Sequence, residues 1–457
     1  MRSPSGPLLF ACVALLFRPA SVTAGGLFWS DRPTSGIQSI RACNFDITNV
    51  RNVRDVTSND PRGIVVDTAG GRIYFLTRTP GALQSIDFNN GGYVQHITGL
   101  TQPADLRFDS GNRVLYWCEE TAGLIRKALL PAVPAVPGTL TPQTLFGSLS
   151  NPYYFDLDVP GGKIFWGQNG SSIFSGPLGG GTPDPALYTG GLNNRGVCVD
   201  ATAGMLYWAE RDGAHVIRRR PIAGGTIQNV YSALDTPHGL VLDIPAAKMY
   251  WVDTGTNGVG GFNARGVSRG DMDGSTAAEI IIAGTSSNQP WDIDIDPRAT
   301  SYAEWRGRYF RLDAPAATTN KTADPDLDGL NNLTEYALGT PPRRGNAGAP
   351  LESVRVTDNT IDYAAIRFRQ RVGATDLTYR VQVSEDLATW RDNSSPGGPH
   401  TVEVSVTPSS EGMEWVTARA TTTSPQQQFF RVLVESPTSA AVVSLSVTEK
   451  PRRRPRR

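Results

Sequence analysis

The sequence predicts an all-β protein. Three observations support this prediction: the composition, a repeated pair of short strands, and the turns between those strands. The chain has 457 residues, of which 48 are Gly and 33 are Pro. These two residue types favour many turns and short strands over long helices. The 43 basic and 43 acidic side chains balance. Net charge therefore indicates neither a nucleic-acid nor a membrane partner.

The strand pair occurs five times without gaps. Each copy is an apolar strand, an Asp, a turn rich in Gly, Ala or Pro, and a strand that ends in two aromatic residues. The copies are Arg62–Phe75, Ala104–Trp117, Tyr153–Trp166, Arg195–Trp208 and His238–Trp251. Their spacing of about 42 to 53 residues suits four short strands per unit, the size of a propeller blade.

Two half-copies flank the five complete ones. Leu27–Asp31 carries the aromatic strand alone, and Trp291–Asp296 carries the Asp strand alone. Joined, they make a sixth unit. The sequence therefore predicts a six-bladed β-propeller over residues 25–298, closed by both ends of the segment, which removes the exposed sheet edges that invite aggregation.

The repeated residues are predicted to be structural. Apolar side chains stand three and one positions before each Asp, as Ile64 and Val66 do before Asp67. This period of two is typical of a strand that packs one face against its neighbour. The aromatic pairs are expected to fill the wedge between blades. Each repeated Asp is expected to accept backbone N–H bonds in its turn.

Four residues at the end of the aromatic strand carry a family resemblance. The segments Phe28-Trp29-Ser30-Asp31, Tyr116-Trp117-Cys118-Glu119, Tyr207-Trp208-Ala209-Glu210 and Tyr250-Trp251-Val252-Asp253 resemble the YWTD, or class B, repeats of low-density-lipoprotein-receptor propellers. The resemblance covers residues 25–298 and is degraded at Leu76-Thr77 and Gly167-Gln168. The cysteine-rich modules that flank such propellers are missing, so the resemblance implies the fold and not receptor function.

Function is predicted where the repeat is not uniform. Five positions before each Asp, the chain enters the innermost strand, on the face that the resemblance implies is used for binding. The residues at this position are Arg62, Ala104, Tyr153, Arg195, His238 and Trp291. A ring that combines charge, stacking and hydrogen bonding suits an anionic or polar ligand, such as a peptide carboxylate or an acidic glycan. The alternative is an ordinary solvated rim.

Two further functions stay open beside a protein- or glycan-binding one. The first is a hydrolase or lyase with a carboxylate-ligated metal in the central channel, built from Asp105, Asp292 and Asn194. Of four His residues only His238 falls at the predicted mouth, so a tri-His metal site is not expected. The second is a structural cell-surface component. The sequence holds no phosphate loop or HExxH motif, which favours a non-enzymatic binding protein.

Residues 324–335 have the spacing of an EF-hand calcium loop. Gly329 allows the sharp turn, and the loop resembles a calcium-binding linker of large secreted bacterial proteins. The expected Ca²⁺ ligands are Asp324, Asp326, Asp328, the carbonyl of Leu330, Asn332 and Glu335. The sequence thus predicts one Ca²⁺ ion in a helical linker over residues 299–345.

The two ends of the chain carry predictions about location. Residues 1–24 combine Arg2, a short apolar run and small residues before Ala24, a pattern typical of a signal peptide. We therefore expect a secreted, extracellular or cell-surface protein, or a periplasmic one, without a membrane span. Residues 438–457 are predicted to be a disordered basic tail.

Residues 346–437 alternate apolar and polar positions in short strands, which predicts an immunoglobulin-like β-sandwich with a spacer or attachment role. After the signal peptide, Cys43, Cys118 and Cys198 remain. An odd number of cysteines argues against a disulfide framework and predicts small buried thiols. We expect a monomer that binds no nucleic acid.

Overall fold

The computed structural model describes residues 25–443, apart from residues 34–35, 57–58, 134, 136, 169, 192, 256–264, 285–288, 346–349, 424–427 and 438. The predicted signal peptide and the basic end of the predicted tail lie outside this range. Strands dominate the described chain, with three short helices between its two groups of sheets. None of the described helices has the length and apolar character needed to cross a membrane.

Six antiparallel sheets of four strands each occupy residues 26–296. Their strands are β1 (Gly26–Asp31), β2 (Ser39–Cys43), β3 (Arg51–Asp55), β4 (Pro61–Asp67), β5 (Arg72–Arg78), β6 (Gly81–Asp87), β7 (Val94–Thr98), β8 (Pro103–Asp109), β9 (Val114–Glu119), β10 (Leu124–Leu129), β11 (Gln143–Phe146), β12 (Pro152–Asp158), β13 (Lys163–Gln168), β14 (Ser172–Pro177), β15 (Tyr188–Thr189), β16 (Asn194–Asp200), β17 (Met205–Glu210), β18 (Val216–Pro221), β19 (Gln228–Tyr231), β20 (Pro237–Asp243), β21 (Lys248–Asp253), β22 (Gly266–Asp271), β23 (Glu279–Ala283) and β24 (Pro290–Asp296).

Five of these sheets are made of four consecutive strands, and the sixth has the order β24-β1-β2-β3. In that sheet Gly26 pairs with Asp296 and Phe28 with Asp294. The innermost strands β4, β8, β12, β16, β20 and β24 each contact the next one, and β24 contacts β4. Four-stranded sheets that meet along their innermost strands are the arrangement of a β-propeller, which is the fold that the repeats predict.

The repeated residues have the structural roles that the sequence predicts. Trp117 is fully buried in a cluster with Tyr74 and Leu83 of the preceding sheet. Each repeated Asp accepts a backbone N–H in its turn, as Asp67 does from Gly70 at 2.8 Å. The equivalent bonds are made by Asp109, Asp158, Asp200 and Asp243.

Neighbouring sheets are joined by side chains as well as by packing. Asp292 Oδ2 accepts from the Ile64 N–H at 3.1 Å, which joins β24 to β4. The Cys118 thiol donates to the Tyr153 carbonyl at 2.8 Å, and the Cys198 thiol donates to the Leu240 carbonyl at 2.9 Å. Cys43, Cys118 and Cys198 are all buried free thiols, as predicted.

Gly239 marks a close approach of two innermost strands. A Cβ at this position would lie 2.5 Å from Asp292 Oδ1 and 2.6 Å from the Asp292 Cα. We expect Gly239→Ala to lower the free energy of unfolding by about 1–3 kcal/mol, the usual cost of overpacking, measured by chemical denaturation. A Cβ at Gly179 meets no atom within 4 Å, so Gly179→Ala is the control. Equal losses in the two variants would contradict the close approach.

Three helices follow the propeller: α1 (Tyr302–Tyr309), α2 (Ala316–Thr319) and α3 (Asn332–Leu338). Seven strands come next: β25 (Leu351–Asp358), β26 (Ile361–Arg371), β27 (Thr378–Ser384), β28 (Thr401–Pro408), β29 (Met413–Ala420), β30 (Phe429–Ser436) and β31 (Ser439–Val443). They form two antiparallel sheets with the orders β25-β26-β29-β28 and β27-β30-β31. Residues of both sheets, among them Phe368 and Val432, share one hydrophobic cluster.

The last strand corrects a predicted boundary. The sequence assigned residues 438–457 to a disordered tail, yet Ser439–Val443 forms β31 and pairs with β30. Two valines at the end of this segment favour a strand, and the edge of β30 supplies its hydrogen-bonding partners. The basic run that suggested disorder begins only at Lys450, outside the described residues.

The helices connect the propeller to the C-terminal sheets. In α3, Tyr336 packs in a cluster with Ala246 of the propeller and Trp305 of α1. Ala337 and Leu338, on the same helix, belong to the core of the C-terminal sheets. One short helix therefore has a face in each of the two hydrophobic cores.

A buried ion-pair cluster fixes the same junction. Arg308 of α1 donates to both carboxylate oxygens of Asp243, each at 2.6 Å. It also donates to Glu411 Oε2 at 3.1 Å, in the turn between β28 and β29. This turn is thereby held against one end of the propeller.

Candidate functional site

The predicted ring residues converge at one end of the channel. The Arg62 guanidinium lies 4.1 Å from the ring centroid of Trp291. The Arg195 guanidinium lies 3.8 Å from that of Tyr153. The His238 and Trp291 ring centroids are 3.9 Å apart. The five ring residues with charged or aromatic side chains therefore belong to one cluster, which we call the mouth cluster: Arg62, Tyr153, Arg195, His238 and Trp291.

The mouth cluster is packed rather than open. Arg62 and Trp291 are 4% and 6% exposed, and His238 is fully buried. His238 Nδ1 lies 2.7 Å from the Tyr154 hydroxyl and 3.1 Å from the Trp291 carbonyl oxygen. Burial, reinforced by the charge of Arg195, holds the pKa of His238 well below its ordinary value. His238 is thus a neutral, buried part of the wall, whereas Arg195 is partly exposed.

Two members of the cluster, Arg32 and Asp60, were not identified from their spacing to the repeated Asp residues. The Arg32 guanidinium lies 4.4 Å from the Trp291 ring and pairs with Asp60. Asp60 also pairs with Arg62 at 2.6 Å. Arg32 follows strand β1 and Asp60 precedes strand β4. The repeat does not extend to these two positions, so it does not predict where their side chains lie. The one signal available was the position of Arg32 immediately after the aromatic tetrad of the first half-copy.

Positive charge exceeds negative charge in the mouth cluster. Within the described part of the chain, Asp60 is the one carboxylate in ion-pair contact with Arg32, Arg62 or Arg195. Burial and the charge of Arg62 lower the pKa of Arg32. Burial also lowers the pKa of Arg195. Burial disfavours the charged form of a guanidinium, and a bound anion would favour it.

A depression of 340 Å³ lies beside the mouth cluster. Its wall includes Arg195, Tyr153, Asn151, Asn193, Ser171 and Glu120. A guanidinium, a phenol face, amides and a hydroxyl are the groups that orient a polar ligand. Arg195 belongs to both the depression and the mouth cluster, so it is the cation that a ligand in the depression meets first.

Asp105 and Asp292, which were proposed as metal ligands if the protein is an enzyme, lie inside the channel. Asp105 and Asp292 are fully buried, and Arg107 Nη1 lies 2.7 Å from Asp105 Oδ1 and 3.9 Å from Asp292 Oδ2. Burial raises the pKa of Asp105 to about 6, and burial together with Asp105 raises the pKa of Asp292 well above its usual range. Asn194, the third proposed ligand, stands beside Gly191 at the depression. A guanidinium therefore already occupies the neighbourhood of the two carboxylates.

The predicted calcium loop gathers three of its carboxylates. Ligand oxygens of Asp324, Asp326 and Asp328 lie within 4.8 Å of one another. Gly329 has a φ of +93°, which allows the turn, and its N–H donates to Asp324 Oδ2 at 3.0 Å. Burial and the charge of Asp328 raise the pKa of Asp326. Mutual repulsion of this kind is what a bound cation removes.

Two predicted ligands lie at the start of α3. Asn332 and Glu335 are both fully buried. Asn332 Nδ2 donates to the carbonyls of Thr318 and Asn320 at 2.9 and 2.8 Å. Asn332 Oδ1 is buried and accepts no hydrogen bond from the described residues. A buried amide oxygen without a donor fits a site for a hard cation.

Comparison with known proteins finds similar solved structures but does not assign the chain to a family. No protein-family model matches the chain. A solved nidogen/laminin complex contains a chain that is 15% identical, with 59% of this chain and 98% of that chain covered, at a TM-score of 0.48. A putative TolB from Agrobacterium tumefaciens is 13% identical, with 60% and 99% covered, at a TM-score of 0.42. A putative 6-phosphogluconolactonase from Bacteroides uniformis is 10% identical, with 60% and 99% covered, at a TM-score of 0.40. We draw no function from these likenesses.

Proposed function

We propose that the protein is an exported, non-enzymatic binding protein whose mouth cluster holds an anionic segment of a protein or glycan partner. One observation carries this proposal: Arg32, Arg62 and Arg195 converge on Tyr153 and Trp291, and among the described residues a single carboxylate, Asp60, is in ion-pair contact with them. Guanidinium groups bind carboxylates and sulfates through charge-assisted hydrogen bonds. The flanking aromatic rings supply flat surfaces for stacking a peptide side chain or a sugar ring.

The interior of the channel gives the metal-enzyme alternative less support. A divalent ion between Asp105 and Asp292 would meet the Arg107 guanidinium, which already lies 2.7 Å from Asp105. Asp105 Oδ2 accepts the Phe155 N–H, and Asp292 Oδ2 accepts the Ile64 N–H. These contacts tie neighbouring strands together and favour a structural role for the two carboxylates.

We infer that the six sheets are the blades of one six-bladed propeller closed by β24 and β1. The pairing of Phe28 with Asp294 and the contact of β24 with β4 support this inference. The two C-terminal sheets, with their shared core, support an immunoglobulin-like sandwich. We also propose that the protein is exported through its signal peptide, is a monomer and binds no nucleic acid.

The proposal includes one Ca²⁺ ion in the linker. The residues that would hold it are Asp324, Asp326, Asp328, the Leu330 carbonyl, Asn332 and Glu335. Three gathered carboxylates and the buried Asn332 Oδ1 support this assignment. The ion supplies the positive charge that these oxygens require. Its expected effect is to fix the start of α3, the helix that connects the propeller to the C-terminal sheets.

The mouth proposal is tested with two anionic probes, a heparin-derived hexasaccharide and a hexaglutamate peptide, and with neutral maltohexaose. We expect at least one anionic probe to bind and maltohexaose not to bind, with affinity falling between about 50 mM and about 300 mM salt as charges are screened. Substituting Arg195→Gln together with Arg32→Gln is expected to weaken binding at least tenfold by calorimetry. Gln keeps hydrogen-bonding capacity and removes the charge.

Arg367→Gln is the matched control. Its guanidinium also stacks on an aromatic ring, 4.4 Å from the centroid of Trp415, and also pairs with one carboxylate. It lies on the C-terminal sheets, so we expect its loss to leave binding unchanged. Failure of both anionic probes to bind, or an equal loss in the control and the double variant, would overturn the proposal.

A further inference from the structure

A second cavity, of about 1090 Å³, lies at the opposite end of the channel. Its wall includes the residue two positions before the repeated Asp in all six units: Val65, Arg107, Asp156, Cys198, Val241 and Asp294. Its floor is the turn between β28 and β29, from Pro408 to Met413. A volume of this size accommodates a small organic molecule. We call this space the floor cavity.

Negative charge is in excess in the floor cavity. Asp156 and Asp294 each use one oxygen to accept a backbone N–H, from Val199 at 2.8 Å and Val66 at 2.7 Å. Both side chains remain partly exposed. Asp156 pairs with Arg107, whose Nε lies 3.7 Å from Asp156 Oδ1.

Arg107 makes its closest ion pair elsewhere, with Asp105 at 2.7 Å. The other arginine of the wall, Arg298, donates to both carboxylate oxygens of Asp296. Glu411 of the floor is engaged by Arg308 at 3.1 Å. Asp156 and Asp294 therefore face the cavity with one guanidinium nearby among the described residues, that of Arg107, which Asp105 shares.

Apolar surface surrounds these carboxylates. Phe108, Leu157, Leu242 and Ile295, one position before the repeated Asp in four units, line the cavity and are partly exposed. The order of the innermost strands places β12 and β24 three apart in a sequence of six. Asp156 and Asp294 therefore approach the cavity from opposite sides of the ring, with apolar side chains between them.

We propose that the floor cavity binds a small organic cation, an ammonium group attached to an apolar body. The ammonium replaces the missing positive charge beside Asp156 or Asp294, and the apolar body covers Leu157, Leu242 and Ile295. Charge and stacking are both used in the recognition of such ligands. This site is independent of the mouth cluster, which lies at the other ends of the same strands and attracts the opposite charge.

The C-terminal sheets complete the site. The Val372 N–H donates to the Gly412 carbonyl at 2.8 Å, which holds the turn in place. A Cβ at Gly412 would lie 2.8 Å from Arg298 Cγ, so the turn sits directly against the propeller. Without this turn the floor cavity would be an open end of the channel.

The test uses benzylammonium, with benzyl alcohol and benzoate as neutral and anionic probes of similar shape, in calorimetry on the full chain. We expect saturable binding of benzylammonium at least tenfold tighter than that of benzyl alcohol, and no binding of benzoate. Asp294→Asn keeps an oxygen for the Val66 N–H and removes the charge, and is expected to weaken benzylammonium at least tenfold. Asp212→Asn, an exposed carboxylate beside Arg211, is the control and should leave binding unchanged.

Leu242→Trp provides a second variant that leaves every carboxylate in place. The larger side chain fills part of the floor cavity, and we expect it to abolish benzylammonium binding. Equal binding of benzyl alcohol, or unchanged benzylammonium affinity in Leu242→Trp, would overturn the proposal. Neither result bears on the mouth proposal, because that one is tested with anionic probes at residues outside this cavity.

Discussion

Replacing Arg308 with methionine is expected to lower the free energy of unfolding by about 3–5 kcal/mol, the usual cost of breaking a buried ion pair. Arg308 and Asp243 have side-chain exposures of 3% and 1%. Removal of the guanidinium leaves the Asp243 carboxylate buried without its two charge-assisted hydrogen bonds. Chemical denaturation followed by tryptophan fluorescence measures the loss, because Trp305 lies in the hydrophobic cluster of this junction.

A double variant separates the buried charge from the lost packing. Asp243→Asn in the Arg308→Met background removes the unpaired charge, so we expect it to recover part of the lost stability. Arg367→Met breaks an exposed pair with Glu352 and is expected to change the free energy of unfolding by no more than about 0.5 kcal/mol. A loss in Arg308→Met no larger than in this control would mean that the ion-pair cluster does not hold the junction.

Removing Ca²⁺ is expected to destabilise the chain by about 2.7 kcal/mol when the ion is otherwise present at one hundred times its dissociation constant. The expected energy comes from linkage, because the folded loop gathers the carboxylates of Asp324, Asp326 and Asp328, which are the proposed ligands. Calorimetric melting in excess Ca²⁺ and in excess chelator measures the difference. Metal analysis of the purified protein gives the number of ions.

Asp326→Asn tests the site directly. We expect it to melt at one temperature with and without Ca²⁺, close to that of the chelated native protein. Asp362→Asn, an exposed carboxylate on β26, is the matched control and should keep the full calcium response. Identical melting of the native protein in Ca²⁺ and in chelator would refute the calcium assignment.

The sequence predicted what the repeat controls. The offset of each Asp placed the innermost strands and the turn caps such as Asp67–Gly70. The same offset also predicted that Arg62 and Trp291 lie near each other, as they do in the structure. These features depend on register within a blade, and register is a property of local sequence.

Features built from distant segments were not predictable. The burial of His238 depends on Tyr154 and Trp291, which come from other blades. The floor of the second cavity comes from Ser409 to Gly412, in a turn with an unremarkable polar sequence. Nothing local in that turn indicates where it packs, because its position is set by Arg308 and α3.

The pairing of β1 with β24 has a consequence for synthesis of the chain. Ser30 Oγ accepts from the Asp292 N–H, two groups 262 residues apart. At translation rates of about 5–20 residues per second, the apolar strand that contains Phe28 and Trp29 is synthesised about 13–52 s before its partner strand. During that interval its exposed edge is open to other strands. A chaperone that covers this first strand until translation has passed Asp296 would therefore protect the nascent protein from aggregation.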